Sequence, residues 1–143
     1  MNVESEIRSF KIWEYAVSHR QLLIRSYEQE KDFSSNNVDF IFTGVSSIYV
    51  SDFSKRISLD MSLITKESFD ASDGDLDQVR NLAGLGDDTD KRGLFVLRSA
   101  EVVWYIRAGH WRIDRNNLES MESNLDTHVI RRDALEIRRA ASS

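Results

Sequence analysis

Arg107, His110 and Arg112 crowd together beside Tyr105 in the stretch EVVWYIRAGHWRID, residues 101 to 114. A guanidinium offers a planar fork for a carboxylate or phosphate, an imidazole titrates near neutrality, and a phenol supplies rigid amphipathic contact area. The group suits recognition of a protein surface, and His110 beside a carboxylate would suit general acid-base chemistry. The same stretch holds Trp104 and Trp111, two of the chain's three tryptophans. What the cations can do therefore depends on which side of the backbone the indoles take.

A two-residue period puts Val102, Trp104 and Ile106 on one face and Val103, Tyr105 and Arg107 on the other. An unbroken strand would carry Trp111 and Ile113 onto the Tyr105 face. A two-residue turn at Ala108-Gly109 restores the phase, setting Arg107 opposite His110, Ile106 opposite Trp111, Tyr105 opposite Arg112 and Trp104 opposite Ile113. A bulge at Gly109 in one bent strand would do the same. The expectation is a buried face of Val102, Trp104, Ile106, Trp111 and Ile113. The opposite, cationic face of Tyr105, Arg107, His110 and Arg112 is then the candidate surface for a partner.

Other constellations fall short of a catalytic or metal pattern. Between Glu67 and Asp90 eight carboxylates face only Arg80, but a calcium loop begun at Asp73 would need Gly at its sixth position and Glu at its twelfth, where Gln78 and Gly84 stand. The segment reads instead as a solvated excursion with one short helix, Leu76 to Leu82, opened by acidic residues that suit a helix amino terminus. GLG at 84 to 86 lacks the third glycine of a dinucleotide fingerprint, and GVSSI at 44 to 48 lacks the second glycine of a nucleophile elbow. His19, His110 and His128 are far apart, and the chain has no cysteine, which excludes thiolate metal sites, disulfides and cysteine nucleophiles. No cofactor is implied.

The elements that must hold these side chains read mainly as strands: FKIWEYAV (10 to 17), QLLIRSY (21 to 27), VDFIFTGV (38 to 45), ISLDMSLIT (57 to 65) and LFVLR (94 to 98), before the tryptophan stretch. The first has apolar residues on both faces, so it belongs at the centre of a sheet or under a helix. In the fourth, Ile57, Leu59, Met61 and Leu63 alternate with polar residues, the pattern of a half-buried strand. The early breaks are too short for parallel crossovers, so neighbours should pair antiparallel. Gly44 followed by two serines marks a bulge or bend. Apolar spacing of three and four residues predicts helices near 117 to 126 and 132 to 141, although THVIR (127 to 131) reads equally as a strand.

Length bounds the whole: 143 residues with 41% hydrophobic content bury one core, giving a single α+β domain over residues 1 to 143. About six or seven strands would form an antiparallel sheet, open or closed into a barrel. Nineteen basic against 24 acidic residues, net −5, argue against nucleic acid as the main partner. No segment approaches the roughly 18 apolar residues of a membrane span, so the expectation is a cytoplasmic protein with no membrane partner. The favoured reading is a small interaction module, adaptor or inhibitor-like, presenting its Tyr/Arg/His face to another protein. The alternative is a small-ligand-binding barrel-like domain, or a hydrolase pairing His110 with a carboxylate.

Overall fold

Short apolar runs bounded by polar breaks become strands throughout the computed structural model, which describes residues 6–26, 37–83, 90–116, 118 and 123–125. The described strands are β1 (Ile7–Ala16), β2 (Gln21–Ser26), β3 (Asn37–Thr43), β4 (Ser47–Tyr49), β5 (Ile57–Asp60), β6 (Leu94–Arg98), β7 (Val103–Arg107) and β8 (His110–Asn116). One α-helix, α1 (Asp73–Ala83), joins β5 to β6. The strands form two antiparallel sheets, one ordered β5-β1-β2-β3-β8 and the other β4-β7-β6. The fold is thus sheet-dominated α+β with one more described strand than the upper expectation, and among the described residues β5 and β8 are the edges of the larger sheet and β4 and β6 those of the smaller. Of the helix expected over 117 to 126, only Leu118 and residues 123–125 are described and none is helical; the helix over 132 to 141 and the THVIR segment lie outside the described residues. No described helix is long and apolar enough to cross a membrane.

The two sheets share one core. Phe10, Leu22, Ile24, Phe40 and Phe42 from the five-stranded sheet meet Leu97, Trp104 and Ile106 from the three-stranded one. Phe69, from the connection between β5 and α1, sits between them, 4.8 Å from the Trp111 ring and 5.2 Å edge-on to Phe40. The far face of the three-stranded sheet is covered by α1, whose Leu76 and Val79 pack on Leu94 with Tyr105 beside them. That helix begins with a reciprocal cap: Asp75 N–H donates to Ser72 Oγ at 3.1 Å and Ser72 N–H to Asp75 Oδ2 at 2.9 Å. β1 lies between β5 and β2, the central place its two apolar faces require.

Two expectations are corrected. ISLDMSLIT is not one strand, because the Asp60 carboxylate accepts from the Ser62 N–H at 3.0 Å and turns Met61–Leu63 into a single 3-10 turn. Met61 is buried as its phase required, but Leu63 is 71% exposed. Nor is Ala108-Gly109 a hairpin turn: β7 pairs with β4 and β6, and β8 pairs with β3. Ala108 N–H donates to the Gly93 carbonyl and Gly109 N–H to the Thr43 carbonyl, both at 2.8 Å, so the turn is a corner carrying the chain from one sheet to the other. β3 offers β8 a seven-residue ladder in which Phe40 faces Ile113 and Phe42 faces Trp111, longer than β7 could provide.

The companion corner, where β3 leaves for β4, is Gly44. Its φ is +71°, and a Cβ there would stand 3.3 Å from the Gly109 nitrogen. Gly44→Ala should therefore destabilise the protein by about 1–2 kcal/mol. Gly74→Ala, in the first turn of α1 with Ser72 Oγ 3.7 Å away, should instead stabilise it by about 0.5 kcal/mol. Urea denaturation of the two variants checks the contrast, and shifts of the same sign would contradict the corner.

Candidate functional site

The four expected contact residues divide between the sheets. Tyr105 lies half-buried against α1 with Leu94, and Arg107 donates Nη1 to the carbonyls of Asp90 at 3.0 Å and Arg92 at 3.4 Å. His110 and Arg112 are exposed on β8, on the far side of the five-stranded sheet from the core, opposite Thr43 and Ile41. Trp104 and Ile106 are core as expected, and Trp111 is half-buried in the aromatic cluster, but Ile113 is 43% exposed on the edge strand. Among the described residues no hydrogen bond or ion pair joins His110 to a carboxylate.

The sheet surface that holds His110 and Arg112 carries a polar cluster with no counterpart in the sequence reading. One row across four strands runs Lys11, Arg25, Asp39, Asp114. Arg25 and Asp39 are both wholly buried and paired in parallel, Nε to Oδ1 at 2.7 Å and Nη2 to Oδ2 at 2.9 Å, with the Trp13 ring 5.6 Å from the guanidinium carbon. Two carboxylates facing each other across β3 and β8 would repel. Here Asn116 Nδ2 donates to Asp39 at 2.8 Å and Asp114 at 3.0 Å, and Asn124 Nδ2 donates to the same two at 3.0 and 2.7 Å. Asn124 comes from beyond β8, and its neighbour Leu125 packs on Leu23, Ile41 and Ala16. The cluster binds residues 123–125 to the sheet through the Asn124 amide. The signal in the sequence was one cation in QLLIRSY and one anion in VDFIF, opposite charges isolated in otherwise apolar neighbouring strands.

An open cleft of about 500 Å³ lies where the β5 end, the 3-10 turn and the start of α1 converge on β6. Leu59, Ile64, Phe69 and Val96 give it apolar walls, and Asp60, Asp70, Asp75 and Arg98 line it with charge. Asp60 Oδ1 accepts from the Glu6 and Ser62 N–H groups and the Ser62 hydroxyl. Burial pushes the Asp75 carboxyl up, but the Ser72 N–H, the ion-paired Arg98 and the Ser72 hydroxyl outweigh it and hold the group below its usual range. Three carboxylates against one guanidinium leave the cleft negative. No group of three or more His, Asp or Glu able to hold a metal occurs among the described residues.

Glu6, whose N–H reaches Asp60, also ties the rim to β8. Its carboxylate accepts from Arg115 Nη2 at 2.8 Å, Arg115 Nη1 at 3.1 Å and Arg8 Nε at 2.8 Å. β1 and β8 are three strand spacings apart, about 14 Å in a flat sheet, so the contact reflects a strong curl of the five-stranded sheet. No known family model, curated protein or solved structure matches the chain.

The hydrogen bond from Arg115 holds Glu6 down, from 4.5 to about 2, against the opposing effect of burial and with help from Arg8. A lowered carboxyl contributes stability that is complete above pH 4.5 and is lost as pH falls from there towards 2. Glu6→Gln should cost about 1 kcal/mol at pH 7, allowing for solvent screening of this part-exposed pair. Urea midpoints of the two proteins should then converge towards pH 2. A gap that stays constant with pH would contradict the pairing.

Proposed function

We propose that the protein is a non-catalytic interaction module whose cleft receives a basic side chain, flanked by apolar residues, from a segment of a protein partner. The observation that carries this reading is the cleft itself: apolar walls beside an excess of carboxylates match an alkyl stem ending in a cation. The electrostatics support it. Asp75, which lines the cleft, has its titration displaced downward, as do Glu6, Asp52 and Asp90. Such groups stay charged at neutral pH, which favours holding a cation and disfavours the general-acid role that needs an upward shift. Of the contact residues expected from sequence, His110 and Arg112 are exposed on the outer face of the five-stranded sheet, whereas Tyr105 and Arg107 are occupied by α1 and the 90–92 segment.

Peptides alternating lysine or arginine with leucine, titrated by fluorescence anisotropy, test the reading. They should bind, with matched glutamate peptides failing to bind. Asp70 is exposed and lines the cleft without capping an element, so Asp70→Lys should weaken binding at least about tenfold while leaving the melting temperature unchanged. Equal binding of acidic and basic peptides, or no effect of Asp70→Lys, would refute it.

A further inference from the structure

β8 is the longer of the two edge strands of the five-stranded sheet, seven residues against four in β5, and among the described residues it pairs only with β3. His110, Arg112, Ile113 and Arg115 on it are all exposed. An edge of this length is a template for strand addition unless something blunts it. The charges on β8 do not read as simple blunting, because they alternate in sign around an exposed apolar residue: Arg112, Ile113, Asp114.

We infer that β8 is a self-complementary edge, and that two copies of this chain associate through antiparallel β8–β8 pairing centred on Ile113. Closed two-fold association requires residue i to face residue j and j to face i. Centred on Ile113, the pairing sets Arg112 opposite Asp114 of the second copy twice over, Ile113 opposite Ile113, Trp111 opposite Arg115 and His110 opposite Asn116. Arg112 and Asp114 share the outer face of the sheet, beside Ile41 and Asp39. Asp114 already accepts from the Asn116 and Asn124 amides and takes Arg112 of the second copy as an additional, charged donor, so the two ion pairs form on that surface and the two sheets become one continuous sheet. Keeping the outer faces continuous restricts the register to steps that move the centre by a whole residue. One step in either direction opposes Arg112 with Arg112, or Asp114 with Asp114, and like charges directly opposite are destabilising. The charge pattern therefore selects both the partner, a second copy, and the register. A single strand pair buries less than a standard interface, so the dimer should dissociate on dilution. This pairing is independent of the acidic cleft and of any partner bound there.

The chain has no cysteine, so single-cysteine variants of the full protein report the register directly. Ile113→Cys should cross-link to itself on mild oxidation or with a short bifunctional thiol reagent, since directly opposed Cβ atoms lie about 5 Å apart. His110→Cys, about 20 Å from its own copy in this register, should not. Sedimentation equilibrium of the unmodified protein should show a concentration-dependent dimer. Arg112→Asp should raise its dissociation constant about tenfold or more without lowering the melting temperature, and Arg112→Lys should restore it. Cross-linking of His110→Cys as readily as Ile113→Cys, a dimer indifferent to Arg112→Asp, or a wild-type protein monomeric at every concentration would overturn the inference.

Discussion

Arg25 and Asp39 are opposite charges with no access to water, and the five-stranded sheet is arranged around them. Taking each ion out of water costs several kcal/mol, which their attraction offsets only with good geometry and with the remaining lone pairs and protons satisfied. Both conditions are met: the pair is bidentate, Trp13 lies over the guanidinium, and the side-chain amides of Asn116 and Asn124 reach Asp39. The constraint acts on register. Slipping β2 against β3 by one residue would put the two charges on opposite faces, and slipping by two would leave Arg25 facing an apolar or amide neighbour. It acts on β8 as well, since Asp114 opposes Asp39 and is tolerated there through the shared amides.

This sealing explains where function is left to reside. The outer surface of the five-stranded sheet is closed in part by Asn124 and Leu125, and that of the three-stranded sheet by α1. The inner surfaces make the aromatic core. Among the described residues the acidic cleft beside α1 and the β8 edge stay open, one negative and concave, the other alternating in charge and extended. The corners at Gly44 and Gly109 separate β7 from β8, and so separate Tyr105 and Arg107 from His110 and Arg112.

Local pattern was enough to read most of the elements. LFVLR is a strand over the residues expected, the helix over 76 to 82 lies inside α1, and the doubly apolar first strand is central. Trp104 is core because its two-residue phase survives whichever strand it pairs with. Pairing was not legible, because the Ala108-Gly109 phase change is the same for a hairpin and for a corner between sheets. Only the long-range hydrogen bonds to Gly93 and Thr43 decide between them. The cleft was equally hidden: Asp60, Asp70 and Asp75 looked like parts of a solvated strand and an acidic loop, and what brings them together is the 3-10 turn and the cap of α1.

The dependence of the sheet on its buried ion pair can be measured by urea denaturation of Asp39→Asn beside the double variant Arg25→Met with Asp39→Leu. Asp39→Asn leaves a buried guanidinium without its counter-charge and should lose about 3–5 kcal/mol, whereas the apolar double replacement should recover most of that loss. A shift for Asp39→Asn within about 0.5 kcal/mol of wild type, as for an ordinary surface substitution, would contradict the central place given to the pair.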